Sequence, residues 1–178
     1  MSEQFVVLSG CSGGGKSSLL AELARRGHAV VEEPGRRIVA EEMRTGGTAL
    51  PWVDLEAFAR RAVRMALADR NSAPGEGLVF FDRGLVDAAV ALEQATGEPE
   101  IERLGRAHRY GRQVFLTPPW PEIYETDPER PHGFDEAVAE YDRLARAYDA
   151  LDYEIVILPK VGIVARADFV VAALGLSA

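Results

Sequence analysis

Short apolar runs alternate along the chain with stretches in which apolar residues recur every three or four positions. The runs Phe5–Ser9, His28–Glu32, Leu78–Asp82, Gln113–Leu116 and Glu154–Leu158 are largely apolar on both faces, the pattern of strands buried in a parallel sheet. Leu19, Leu20 and Leu23 mark a helix over 16–26 that Gly27 stops. Pro34-Gly35 is expected to close the second strand, with a helix over 36–44 ended by Gly46-Gly47. Leu55, Phe58, Ala59, Ala62, Val63 and Ala66 predict a long helix to about Asn71, with Asp54 as its N-cap and Pro74-Gly75 as its break. Two shorter helices, 86–95 and 100–109, are separated by Gly97 and Pro99. Phe134, Val138, Tyr141, Ala145, Tyr148 and Leu151 predict another, and a last helix runs from about 162 to 174. Strands alternating with helices, without a repeat or a low-complexity linker, predict one α/β domain over 1–178. Its core is a five-stranded parallel sheet with helices on both faces, three layers in all. Ligands of such sheets bind at the carboxyl ends of the strands, so the residues just after each strand matter most.

Composition narrows the function classes. The 178 residues fit one domain. A net charge of −8, from 20 basic and 28 acidic residues, excludes a general binder of nucleic acid or anionic membrane, because the summed field repels phosphate. One Cys excludes an internal disulfide and a structural Cys-based zinc site. His28, His108 and His132 have no ligand-like spacing. The longest apolar run, Phe169–Leu176, is too short to cross a membrane, and the N-terminus has no basic segment before an apolar one, so the expected location is cytoplasmic. All the cations but Lys16 and Lys160 are Arg.

The first strand runs into Gly10, Cys11, Ser12, Gly13, Gly14, Gly15, Lys16, Ser17 and Ser18. This is the GxxxxGKS pattern of a phosphate-binding P-loop, with the strand before it and the helix after it that the motif requires. Glycines let the backbone wrap a phosphate and aim its N–H groups inward, and the helix N-terminus adds positive potential. Lys16 supplies a mobile charge for the outer phosphates, and the Ser17 hydroxyl a ligand for Mg²⁺. The implied ligand is a nucleoside triphosphate, ATP with Mg²⁺, and the implied architecture is the P-loop NTPase fold.

Strand three ends in Asp82-Arg83, an acid placed to hold Mg²⁺ and an Arg placed to reach a phosphate of a second substrate. No Glu follows Asp82 to activate water, which tilts the reading away from motor-type hydrolysis. Strand two ends in Glu32-Glu33-Pro34. Glu33, held extended before a proline, is the candidate general base for an acceptor hydroxyl or, equally, a hydrogen-bond acceptor for a nucleoside. Strand four opens into the segment 117–133, a candidate lid in which Trp120 and Tyr124 pack and Arg130 closes over the phosphates. Arg109 and Arg112 are weaker candidates. The loop after strand five, with Lys160, suits the adenine ring.

The stretches GCSGGGKSS, VVEEPGRRIV and VFFDRGLVD, in that order, resemble the P-loop nucleoside and nucleotide kinases. More closely, with LPW at 50–52, DRG, PPWPEIYETDPERP and ARADFV, the chain resembles small bacterial predicted ATPases of AAA type. These are related to the ribosylnicotinamide kinase domain of NAD regulators. The resemblance implies ATP phosphates and Mg²⁺ on Gly10 to Ser18, Asp82 as the metal-linked acid and Glu33 facing the phosphoryl acceptor. It also implies Arg83 as the Arg of the acidic-Arg pair, and Arg130 in the lid. The closely spaced lid arginines of deoxynucleoside kinases are missing. A small-molecule kinase acting on a nucleoside- or nucleotide-like acceptor is the leading expectation, its acceptor held near Glu33, Trp52 and Arg83. The alternatives are an NTPase or nucleotide-dependent switch acting on a protein partner, and a nucleotide-binding module without chemistry; a protein partner or a homodimer is left open as an association.

Overall fold

The computed structural model describes residues 2–125 and 133–175. The strands are β1 (Phe5–Gly10), β2 (Ala29–Val31), β3 (Val79–Asp82), β4 (Gln113–Thr117) and β5 (Glu154–Ile157). The helices are α1 (Lys16–Arg25), α2 (Pro34–Thr45), α3 (Leu55–Ser72), α4 (Leu85–Thr96), α5 (Glu100–Ala107), α6 (Phe134–Ala150) and α7 (Ile163–Ala173). The strands form one parallel sheet in the order β2-β3-β1-β4-β5. The first strand in the chain is therefore the central one, and the chain crosses from one side of it to the other between β3 and β4. A crevice opens at that reversal, at the carboxyl end of β1.

Alternation along the strands divides the core in two. Val6, Leu8, Phe80 and Phe115 pack with Leu19, Leu20 and Leu23 of α1 and Ala167, Val170 and Val171 of α7. Val7, Val79, Phe81, Val114 and Leu116 face the other way, onto Ile38 of α2 and the apolar sides of α3, α4 and α6. Both faces of the inner strands are thus covered, which is why these runs carry no polar alternation. Asp54 caps α3 as the sequence suggests, its carboxylate accepting from the Ala57 N–H at 2.9 Å.

Three local expectations change. Pro34-Gly35 opens α2 rather than breaking the chain. Proline suits the first helical position because its missing N–H has no partner there anyway. Glu33 is still extended (φ −55°, ψ 120°), and it becomes the residue at which a helix begins. In α6 the expected Tyr141, Ala145, Tyr148 and Leu151 do meet the core, but Ala137, Leu144 and Ala147 are buried with them while Phe134 and Val138 are only half-buried, so the buried face is shifted in the first turns. β5, at the sheet's edge, leaves Glu154 and Ile157 exposed, because an edge strand has a neighbour on one side only. No described helix is long and apolar enough to cross a membrane.

Candidate active site

The loop after β1 is tied to the end of β4. The Cys11 N–H donates to the Thr117 carbonyl at 2.8 Å, and Thr117 Oγ1 donates back to the Ser9 and Cys11 carbonyls at 3.1 Å each. Gly10 holds φ 102°, and a Cβ there would lie 2.5 Å from the Thr117 carbonyl oxygen, so only glycine fits this crossing. α1 begins at Lys16, and the loop from Gly10 to Ser18 is the helix entrance that the sequence pattern predicts. Lys16 is buried and folded onto the loop, Nζ donating to the Cys11 carbonyl at 2.9 Å. Burial lowers its pKa and the Arg83 charge adds to that. The carboxylates of Asp82, Glu33 and Glu140 oppose both. Ser17 and Ser18 are exposed at the helix start, and Ser12 and Cys11 are buried.

Asp82 stands at the end of β3, beside the loop. Ser17 Oγ donates to Asp82 Oδ2 at 3.3 Å, while Asp82 Oδ1 is buried without a hydrogen-bond partner. Burial and the nearby Glu33 charge raise the Asp82 pKa to about 6, despite Lys16, Arg83 and the Ser17 hydroxyl. Its folded pKa lies above the unfolded value, so protonation stabilises the fold. That contribution is complete at low pH and is lost as pH rises through about 6. Asp82→Asn should therefore be more stable than the parent at pH 7.5 and close to it at pH 4.5. Chemical denaturation at the two pH values measures this, and a gap that does not grow with pH contradicts it.

Arg83 departs most from its expected setting. Its backbone is left-handed (φ 61°), uncommon for a non-glycine residue, and its N–H donates to the Leu8 carbonyl at 2.8 Å. The turn directs the side chain inward among three carboxylates, Asp87 at 3.1 Å, Glu33 at 3.4 Å and Glu140 at 3.5 Å, where it also donates to the Gly10 carbonyl. Burial opposes its charge, but Glu140, Glu33, Asp87 and Asp82 together raise its pKa. A guanidinium so surrounded orders the site rather than waiting open for a phosphate. Asp87 is the hub beneath it. It accepts from Ser9 Oγ, from the Gly84 N–H at 3.0 Å and from the Tyr148 hydroxyl at 2.6 Å.

Beside this cluster lies a cavity of about 750 Å³. Ser12 of the loop forms one corner, Glu33, Arg83, Glu140 and Arg143 a charged wall, and Pro51, Trp52, Leu55 and Phe58 an apolar and aromatic wall. Trp52 is 46 % exposed at its rim. Residues that sequence reasoning passed over complete the site: Thr117, Asp87, Glu140 and Arg143. Other candidates lie elsewhere. Arg109 donates to the Leu151 carbonyl and stacks over Tyr153, and Arg112 lines a smaller cavity at the amino ends of the strands. Lys160 is exposed. Trp120 lies against Arg166, and Tyr124 meets Phe134 edge-on at 5.3 Å. Arg130 lies outside the described residues.

A parallel sheet with GxxxxGKS between its central strand and α1, and an acidic-Arg pair ending the adjacent strand, defines a P-loop nucleotide-binding protein of kinase-like fold. A family model described as an AAA domain (AAA_28) matches residues 5–166, and the chain belongs to that family. Solved structures share the fold. Deoxyadenosine kinase from M. mycoides with bound dATP matches at TM-score 0.71 and 11% identity, over 97% of this chain and 99% of its own. A NadR protein in complex with NR matches at TM-score 0.73 and 20% identity, over 99% of this chain and 53% of its own. Shikimate kinase from Acinetobacter baumannii with shikimate matches at 0.56 and 16%, over 97% and 93%. No curated protein matches the chain.

Proposed function

We propose that the protein is a kinase transferring the γ-phosphoryl group of ATP to the hydroxyl of a small nucleoside- or nucleotide-like acceptor. The observation behind this reading is the cavity adjoining the P-loop. Its aromatic wall suits a planar ring and its polar wall a hydroxyl-bearing group, and it meets the loop at Ser12, where an acceptor would lie in reach of a bound phosphate. Nucleoside and small-molecule kinases among the structural relatives support the same class.

The residues divide the work as phosphoryl transfer requires, by positioning and charge stabilisation. The loop from Gly10 to Ser18 holds the phosphates through those backbone N–H groups that the strap to Thr117 leaves free, and Lys16 leaves the Cys11 carbonyl for the outer ones. Ser17 and Asp82 would hold Mg²⁺. The fit is good, because an orphaned carboxylate oxygen and a hydroxyl are hard donors, and Mg²⁺ takes few protein ligands besides phosphate and water. The ion would neutralise charge on the phosphate oxygens. Glu33 takes the acceptor proton, and Arg83 keeps Glu33 in place.

Lys16→Ala should weaken triphosphate binding by about 1.5–3 kcal/mol, the range for a charge-assisted hydrogen bond. Calorimetric titration reads it, and equal affinity removes the phosphate role. Acceptor dependence is tested by following ADP formation from ATP with a panel of nucleosides and ribosyl compounds. A strong rise with one of them is the expected result. A slow basal rate that only a protein stimulates points to a switch and overturns the kinase reading.

A further inference from the structure

α7, IVARADFVVAA, carries one Arg and one Asp among apolar residues; Asp168 pairs outward with Arg26, while the Arg166 side chain is fully buried. Among the described residues it has no ion pair. Arg166 Nε donates to the Pro159 carbonyl at 2.7 Å, in the loop after β5, and one terminal nitrogen donates to the Gly14 carbonyl at 2.6 Å, in the P-loop. The other terminal nitrogen is buried with no hydrogen-bond partner. The guanidinium carbon lies 4.9 Å from the centre of the Trp120 ring, which covers it from the segment after β4. On the loop side, Gly15 has φ 84°, and a Cβ there would stand 3.3 Å from the same nitrogen that bonds Gly14.

A buried cation without a carboxylate is costly, and here burial pulls the pKa of Arg166 down. Every other deeply buried cation of this region is balanced. Arg83 sits among three carboxylates, and the charge of Lys16 is offset by Asp82, Glu33 and Glu140. Arg166 stands behind the P-loop with backbone carbonyls and the Trp120 ring for partners and, among the described residues, no carboxylate. Three segments converge on it: the P-loop, the loop after β5 and the segment after β4. The charge missing from its surroundings is an anion, and the loop is built to hold one.

We propose that Arg166 is a positioning residue of the nucleotide site. It fixes the backbone of Gly14 against the loop at Pro159, and its charge is balanced by the polyphosphate of the bound nucleotide. The inference rests on the reading that the loop binds a nucleoside triphosphate. The Gly14 carbonyl turned out toward Arg166 leaves the adjoining peptide N–H groups to the phosphate side. The charge acts through the loop across a few ångströms of low-dielectric protein, where it is poorly screened.

The test is calorimetric titration of parent, Arg166→Met and Arg166→Lys with Mg·ATP, Mg·ADP and adenosine, at two salt concentrations, with thermal unfolding of each free protein alongside. Arg166→Met should weaken Mg·ATP about tenfold, Mg·ADP less, and adenosine hardly at all. Arg166→Lys keeps the charge and should recover most of the loss for ATP. Where Arg166→Met does not fold, the Lys variant decides, because its ATP loss should stay under about threefold while its unfolding temperature falls. Equal weakening of all three ligands shows a merely structural role and overturns the proposal, as does an unchanged ATP affinity in a folded Met variant. A loss in Arg166→Lys as large as in Arg166→Met overturns the charge argument. A parent that binds no triphosphate overturns the nucleotide reading itself, which separates that failure from this one.

Discussion

Glu33→Gln should lower acceptor-dependent turnover by about 10²–10⁴-fold and leave ATP affinity nearly unchanged, the loss expected when a general base is removed. The substitution preserves size and hydrogen bonding. Arg83, 3.4 Å from Glu33, keeps Asp87 and Glu140, so the guanidinium stays in place and only the basic carboxylate is lost. Steady-state ADP formation with the cognate acceptor, and a separate ATP titration, separate the two effects. An unchanged kcat assigns the proton to another group, and Glu140 on the same cavity wall is the first to try.

Asp87→Ala should destabilise the fold by about 3–5 kcal/mol, the cost of leaving buried partners of a charge unpaired. Asp87 serves Arg83, Ser9, Gly84 and Tyr148, which belong to three strand ends and helices, so one truncation strands donors on both sides of the cluster. Domains of this kind are stable by only about 5–15 kcal/mol, so the change is a large share of the whole. A urea unfolding midpoint reads it. Asp87→Asn, which keeps acceptor capacity, should lose less, and an Ala variant within about 1 kcal/mol of the parent would show that Arg83 is balanced by Glu33 and Glu140 without it.

The strands, the P-loop and the acidic-Arg pair were legible because each is written in one contiguous stretch, a both-sided apolar run followed at once by its chemistry. The rest of the site comes from far along the chain. Asp87 looks like a first-turn helix acid, and only the fold shows that it is buried beneath Arg83. Glu140 and Arg143 sit in a helix rich in charge, where nothing local separates a residue facing a cavity from one facing solvent. Thr117 ends a strand and gives no sign of the loop it straps. Arg166 did leave a trace, a lone cation in an apolar helix, but its partners are backbone carbonyls, which no sequence pattern displays. Pro34 marked the end of β2 as expected, and the helix starts at it rather than at 36, because the same residue that closes one element can begin the next.

The central place of β1 also bears on how the protein is made. Its partners, β3 and β4, follow it in the chain by about 75 and 110 residues. During synthesis β1 therefore emerges before either strand that pairs with it. The loop cannot be strapped until Thr117 has left the ribosome, roughly 5–20 s later at ordinary rates of synthesis. Until then the P-loop lacks the contacts that tie it to the end of β4, so the phosphate site is completed late in synthesis although its sequence is made early.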